Sequence, residues 1–243
     1  MIYSHIRSLL IDIDDTLVQL KRDGSRAQFQ HAEHWTGSLL EVVQCAGEQL
    51  AGLPADEVAR RIAEIKREVR WWQMEDFISS LGLIPEHFWD FAFEAERRYL
   101  EPTGGEIQPA LDRLRRGGIH LFITSNNPNT SIVHKLRLAG ITDTAQFDGI
   151  IGASQLRAMK WEPVFWERAL AMVGLPVDQV AVVGDNPLDD YEVPRQAGIT
   201  HSFLIDRMRD RSADNSAAVS YVTDFSQIAN RVLGDAPSAS SRD

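Results

Sequence analysis

The chain has little of what marks a secreted or membrane protein. Among its 243 residues Cys45 is the single cysteine, so no intrachain disulfide can form and nothing favours an oxidising compartment. No apolar run reaches the roughly 18 to 20 residues that a membrane helix needs, and the N-terminus lacks a basic start followed by a long apolar segment. We therefore expect a soluble, cytoplasmic protein without a membrane anchor.

Positive charge is also scarce. The 25 lysines and arginines are outnumbered by 35 aspartates and glutamates, which gives a formal net charge of −10 at pH 7. A surface of that sign repels nucleic-acid phosphates and anionic lipids, so we expect neither nucleic acid nor membrane as a partner. The length permits one large domain or two smaller ones.

The most informative segment is residues 9–17, an apolar run that ends in Asp12, Asp14 and Thr16. Side chains two positions apart in an extended chain point to one face, so Asp12 and Asp14 can share a pocket. Two close carboxylates need either a cation beside them or a raised pKa in one of them. Both outcomes suit phosphoryl transfer, although an Asp-x-Asp pair alone fits an acidic strand end in water equally well.

The segment between Leu17 and the Pro-Thr-Gly-Gly sequence at 102–105 has a helical pattern. Apolar residues recur at spacings of three and four after Pro54 and again after Pro85, which predicts two amphipathic helices, each opened by a proline. An earlier helix over residues 35–50 would complete a small bundle, because three helices can bury one another's apolar faces. The sequence therefore predicts an inserted helical bundle.

From Glu106 onward, helical and strand-like segments alternate, which predicts successive βαβ units and hence a parallel α/β sheet flanked by helices. The last strand is expected at residues 202–205, and a helix over residues 225–233 closes the chain. The predicted division is a sheet domain of residues 1–18 and 104–235, a helical domain of residues 19–103 and a flexible tail of residues 236–243.

Polar groups stand where the predicted strands end, and in parallel α/β sheets ligands bind beyond those ends. The groups are Asp12 and Asp14 after the first strand, Ser125-Asn126-Asn127 after the next, and Gly184-Asp185 with Asp189-Asp190 after a later one; Lys160 precedes a helix between the last two. Taken singly, Ser125 also fits a helix cap and Lys160 a solvated surface lysine. Together they supply anions for a cation and donors for a phosphate.

The order and spacing of these groups resemble the haloacid dehalogenase superfamily of phosphohydrolases, over nearly the whole chain outside the insertion. The four motifs are matched by Asp12 to Leu17 (with Asp15 where glycine is commoner), by Ser125, by Lys160 (followed by Trp161 where proline is usual) and by Gly184-Asp185 with Asp189 and Asp190. The similarity is to phosphatase-like members with a C1-type helical cap. It implies a Rossmann-like core under a cap that closes over the site and selects the substrate.

The resemblance also implies roles. Asp12 would be the nucleophile, since an ionised carboxylate attacks phosphorus without a base, and Asp14 would protonate the leaving alcohol and then activate water. Mg²⁺ would offset the repulsion between Asp12 and a phosphate dianion. Its implied ligands are Asp12, the main-chain carbonyl of Asp14 and Asp185. The implied phosphate contacts are Ser125, Asn126 with the nearby main-chain amides, and Lys160.

Two local questions stay open from the sequence. Pro128 fits a first helical position, which predicts that Asn127 caps a helix whose N-terminus points at the phosphate. Asp189 and Asp190 each fit either outer-sphere binding of the metal or capping of the next helix.

The expected function is a Mg²⁺-dependent phosphatase, a monomer or homodimer, that hydrolyses a small phosphorylated metabolite through a phospho-aspartyl intermediate on Asp12. Sugar phosphates, phosphoglycolate and nucleotides stay open as substrates. A β-phosphoglucomutase-like phosphotransferase would return the phosphoryl group to a sugar. A 2-haloacid dehalogenase is less expected, because such enzymes lack an acidic residue at the position of Asp14. A non-catalytic phosphate-binding or signalling module of the receiver type orders its acidic residues differently along the chain.

Overall fold

The computed structural model describes residues 3–21, 39–68, 72–104, 107–207 and 214–234. The predicted flexible tail at 236–243 and the first residues of the predicted helix at 35–50 lie outside these ranges. Within them, no helix combines the length and apolar character needed to cross a membrane.

Strands and helices alternate through most of the chain. The strands are β1 (Ser8–Ile11), β2 (Val18–Leu20), β3 (Leu100–Pro102), β4 (His120–Ser125), β5 (Gly149–Gly152), β6 (Val180–Gly184), β7 (His201–Ile205) and β8 (Val219–Val222). The helices are α1 (Leu39–Gln49), α2 (Ala55–Glu68), α3 (Met74–Ser80), α4 (Pro85–Tyr99), α5 (Ile107–Arg116), α6 (Asn129–Leu138), α7 (Ala153–Leu156), α8 (Pro163–Val173), α9 (Val193–Gln196) and α10 (Ser226–Leu233). A further helical turn at Leu188–Glu192 precedes α9.

Six strands form one parallel sheet in the order β5-β4-β1-β6-β7-β8. The central strand β1 is buried along its whole length, which is why it is a continuous apolar run rather than an alternating one. Its two faces pack into different apolar clusters, with Leu9 and Ile11 on one side and Leu10 on the other. The predicted α/β fold with a Rossmann-like parallel sheet is confirmed.

The prediction that residues 202–205 form the last strand is wrong. A further strand, β8, pairs in parallel with β7 and forms the edge of the sheet. It has only four residues, and two of them, Ser220 and Tyr221, are polar, so the apolar signal is weak. Ser220 is nevertheless buried, and its hydroxyl lies 2.6 Å from that of Tyr3.

The two helices predicted after Pro54 and Pro85 are confirmed, since α2 begins at Ala55 and α4 at Pro85. The short helix α3 between them was not predicted, because seven residues show too little periodicity. The insertion helices α1 to α4 share their own buried cluster, which includes Val43, Val58, Ile78, Phe88 and Ala92.

An antiparallel pair of three-residue strands, β2 and β3, stands at the two ends of the insertion. Val18 pairs with Pro102 and Leu20 with Leu100, so the chain leaves the sheet and returns to it at one place. Strands this short carry no readable alternation, and the sequence did not reveal them. The division into two domains at these positions stays a prediction.

Candidate active site

The sheet order brings the polar strand ends together. Strand β1 lies between β4 and β6, and all three are parallel. Asp12, Ser125 and Gly184 therefore lie side by side at the carboxyl ends of three adjacent strands. Groups that are more than a hundred residues apart along the chain therefore line one site, as expected for ligand sites of parallel α/β sheets.

An acidic cluster forms the floor of this site. Carboxylate oxygens of Asp12, Asp185 and Asp190 all lie within 4.8 Å of one another. The Nζ of Lys160 lies 2.7 Å from Oδ1 of Asp12 and 2.5 Å from Oδ1 of Asp190. The cluster thus has three acidic groups and one ammonium group, which contacts two of them. An oxygen-seeking divalent cation such as Mg²⁺ fits that donor set and charge.

Burial governs the protonation of the cluster. It raises the pKa of Asp12 well above its ordinary value, and Lys160 opposes that shift. It also raises the pKa of Asp185 to about 7, with Asp190 as the second cause. Burial lowers the pKa of Lys160, but the two carboxylates beside it outweigh burial and hold that pKa above its ordinary value. A bound cation would favour the ionised form of the carboxylates.

Gly184 is required where β6 meets the cluster. A Cβ atom at this position would lie 2.1 Å from Cγ of Asp190, so only glycine lets that carboxylate approach the strand end. The adjacent aspartates differ in their partners. Asp190 accepts a hydrogen bond from the backbone N–H of Asn186 (3.0 Å) and belongs to the acidic cluster, whereas Asp189 accepts one from Nδ2 of Asn126 (2.8 Å).

Asp14 has a different environment from Asp12. Its side chain is 43% exposed, towards the cavity described below, yet both of its oxygens are held. Lys135 Nζ lies 2.5 Å from Oδ1, and Asn127 Nδ2 donates to Oδ2 at 2.5 Å. Lys135, which lies in the interior of α6, was not predicted as a site residue from the sequence. Its signal was weak: Ser131 and Lys135 are polar residues four apart beside the apolar positions of the same helix.

The prediction that Asn127 caps α6 is wrong. Pro128 is extended and precedes the helix, which begins at Asn129. The Asn127 side chain instead donates to Asp14 and, at 2.9 Å, to Oγ of Ser125. That serine is buried, and its Oγ also accepts the backbone N–H of Asn127 at 3.1 Å.

The loop that carries Lys160 is firmly held although Trp161 replaces the usual proline. The Lys160 backbone N–H donates to Oδ1 of Asn126 at 2.7 Å, and its carbonyl accepts from Nε1 of Trp166 at 2.8 Å. Trp161 itself is 44% exposed and lines the cavity. Trp161 therefore forms part of the cavity wall, and Lys160 still lies beside Asp12.

The backbone conformation at Asp15 explains why glycine is commoner at this position of the motif. Its φ of 52° lies in the left-handed region, which glycine adopts freely and aspartate tolerates better than most residues. Arg207, which the sequence analysis did not single out, donates to the carbonyl oxygens of Asp15 and Thr16. These bonds fasten the loop between β1 and β2.

A cavity of about 370 Å³ opens beside Asp14, Asn126 and Asn127. The rest of its described wall is largely apolar and comes from both parts of the chain. Its apolar residues are Val18, Leu20, Leu39, Leu40, Met74, Leu100, Met159 and Trp161, and Asp15 and Gln19 complete it. Asp14 thus lies at the wall of a largely apolar cavity that is bounded in part by α1 and α3.

Fold and site together define a parallel α/β protein with a carboxylate-rich site at the edge of its sheet. A model of the haloacid dehalogenase-like hydrolases matches residues 6–198. The chain belongs to this hydrolase family, which confirms the resemblance inferred from its motifs.

The individual proteins that the chain resembles have low sequence identity to it. A phosphoserine phosphatase from Thermus thermophilus is 29% identical over 125 residues, which is 50% of this chain and 49% of that protein, so the match spans about half of its length. A haloacid dehalogenase-type phosphatase structure from Thermococcus onnurineus is 22% identical, with a TM-score of 0.63 over 94% of this chain and 98% of that one. A 2-haloacid dehalogenase from Pseudomonas syringae is 17% identical, with a TM-score of 0.59 over 92% and 96%. Both structures are similar in fold.

Proposed function

We propose that this protein is a Mg²⁺-dependent phosphatase that hydrolyses a small phosphomonoester through a phospho-aspartyl intermediate on Asp12. The observation that carries the proposal is the pairing of two differently placed carboxylates. Asp12 is buried beside Lys160, whose ammonium group balances a nucleophilic carboxylate, and Asp14 faces the cavity, where a proton donor can reach a leaving group. The phosphoserine phosphatase relative supports a small phosphorylated metabolite as the substrate, and we place the enzyme in the cytoplasm as part of the proposal.

In the first step Asp12 attacks phosphorus, and the bond from phosphorus to the ester oxygen breaks. Lys160 would stabilise charge on the transferring group, and Ser125, Asn126 and the nearby main-chain amides would donate hydrogen bonds to it. When bound, Mg²⁺ supplies positive charge that offsets the repulsion between carboxylate and phosphate. Asp12, Asp185 and the main-chain carbonyl of Asp14 would hold it, with Asp190 in the same cluster.

Asp14 carries the proton in both steps. It gives a proton to the leaving alkoxide, then takes one from the water that attacks the phosphorus of the aspartyl phosphate. The first of these roles distinguishes the proposal from dehalogenation, in which carbon rather than phosphorus is attacked and the leaving halide needs no proton. The insertion helices would act as a cap that limits the entry of bulk water.

The test is phosphate release from a panel of alkyl, aryl, sugar, nucleoside and phosphoamino-acid monoesters with Mg²⁺. We expect release from at least one ester, abolished by Asp12→Asn and by a chelator. A parallel assay measures halide release from a 2-haloacid. Halide release without phosphate release would replace the proposal with a dehalogenase. Conversion between sugar phosphates without net phosphate release would replace it with a mutase.

A further inference from the structure

One buried lysine touches both the sheet domain and the insertion. Lys135 of α6 is 2% exposed, and its Nζ lies 2.5 Å from Oδ1 of Asp14 and 3.8 Å from Oε1 of Glu96. Glu96 lies in α4 and is itself buried. The same ammonium group therefore faces the proposed proton donor and a carboxylate of the insertion.

Glu96 is held against α6 by further contacts. Ser131 Oγ donates to its Oε1 at 3.1 Å, and Nε2 of His134 lies 3.7 Å from its Oε2. The ring of Phe93, also on α4, stacks on His134 with centroids 4.2 Å apart and an angle of 12°. The polar cluster is thus a contact surface between α4 and α6, and not an isolated ion pair.

The charges identify Lys135 as the element that balances this cluster. Burial lowers the pKa of His134 to about 4, so that ring is neutral at pH 7. Burial raises the pKa of Glu96 to about 7, against the effect of Lys135. Burial lowers the pKa of Lys135 itself, but Asp14 and Glu96 outweigh it and raise that pKa. Without the ammonium group, two carboxylates would face each other with no cation between them.

We propose that Lys135 is a positioning residue that orients the Asp14 carboxylate and, through Glu96, makes this orientation depend on the packing of α4 against α6. The inference rests on the proposed phosphatase function. In the step concerned, Asp12 forms a bond to phosphorus, the ester P–O bond breaks, and the Asp14 proton passes to the leaving oxygen. Lys135 neither gives nor takes a proton; it fixes the donor at its position.

The kinetic test uses the dependence on the leaving group. A nitrophenolate leaves without a proton, whereas an alkoxide needs one. We expect Lys135→Met to lower kcat/KM for an alkyl phosphate by about tenfold more than for p-nitrophenyl phosphate. Lys135→Arg should recover part of the difference, and Lys66→Met, at an exposed lysine of α2, should leave both values unchanged. In an Asp14→Asn background, Lys135→Met should add little.

The second test needs no turnover. In the wild-type background we expect Glu96→Gln to lower the thermal midpoint, because Lys135 loses a partner. In the Lys135→Met background it should raise the midpoint, because it removes the charge of a buried carboxylate that has lost its cation. Circular dichroism establishes that each variant is folded before it is compared.

The outcomes separate the two proposals. Equal losses on both esters would make Lys135 a structural residue and overturn its positioning role. The same sign of the Glu96→Gln shift in both backgrounds would overturn the link to the insertion. If the wild type released phosphate from no ester, the proposed function would fail, while the thermal shifts would still decide whether Lys135 joins Glu96 to Asp14.

Discussion

The adjacent residues Asp189 and Asp190 contact different partners, and only Asp190 belongs to the acidic cluster. Asp189 is bound to Asn126, whereas Asp190 faces Lys160, Asp12 and Asp185. The pair therefore provides a matched comparison in which the same chemical change is made one position apart. A change at Asp190 should weaken the binding of a cation to the cluster, and the same change at Asp189 should weaken it much less.

We expect Mg²⁺ to raise the thermal midpoint of the wild type by about 5 °C or more when its free concentration is about 100 times its Kd. Asp190→Asn should remove most of this shift, because it takes one carboxylate from the cluster. Asp189→Asn should retain it. Differential scanning fluorimetry with and without Mg²⁺ measures all three proteins. Equal shifts in the two variants would show that the cation is not held by this cluster.

At the scale of elements, β7 begins with a histidine that the proposed chemistry does not use. His201 is buried, its ring centroid lies 4.0 Å from that of Tyr3, and its Nδ1 lies 2.9 Å from the carbonyl oxygen of Ala217. A carbonyl only accepts, so Nδ1 carries the proton. Burial lowers the pKa of His201 to about 4, although the bond to Ala217 opposes the shift.

This histidine should make folding less favourable in acid. The pKa of a histidine in the unfolded chain is about 6.5, so between pH 6.5 and pH 4 the unfolded state binds more protons. Stability attributable to His201 is thus complete above about pH 6.5 and is lost as pH falls, by up to about 3 kcal/mol.

We expect His201→Asn, which can keep a donor near Ala217, to flatten the fall in unfolding free energy between pH 6.5 and pH 4. Urea denaturation at several pH values measures it. The contributions of His134, with the same sign, and of Glu96 and Asp185, with the opposite sign, cancel in the difference between wild type and variant. A constant difference across this pH range would contradict the prediction.

At the scale of the whole molecule, the buried apolar residues of the described ranges form three clusters. Two lie on opposite faces of the parallel sheet, and the third is built from the insertion helices. Leu20 of β2 packs against both the insertion cluster and one sheet cluster. The predicted division at residues 19–103 can be tested by a substitution in the insertion cluster.

We expect Phe88→Ala, at a fully buried position of α4, to cost about 3–5 kcal/mol and to act first on the insertion. Amide hydrogen exchange followed by mass spectrometry should show protection lost in α1, α2 and α4 while β1, β4 and β6 keep theirs. Ile123→Ala, in the sheet, is the matched control and should weaken β4 first. Uniform loss across the chain in Phe88→Ala would mean that the two parts unfold as one unit.

Most helices and strands could be predicted because the sequence patterns that indicate them are local. A run such as Leu9 to Ile11 predicts a buried strand by itself, and Pro54 just before α2 and Pro85 at the first position of α4 mark helix starts. The elements that were missed include α3, α7, β2, β3 and β8, each of three to seven residues, too few for a periodic pattern. Asn127 was misassigned because a residue before proline fits both a cap and a side-chain contact with a distant partner.

The family, the parallel sheet and the polar groups at its strand ends could be predicted, because each depends on residue type and short-range spacing. Which of these groups meet became known only from the folded chain. Asp14 and Lys135 are 121 positions apart, and Lys160 and Asp12 are 148 apart. Such contacts depend on how β1, α6 and the loop before α8 are packed, and a periodic pattern specifies that a side chain is buried without specifying its partner.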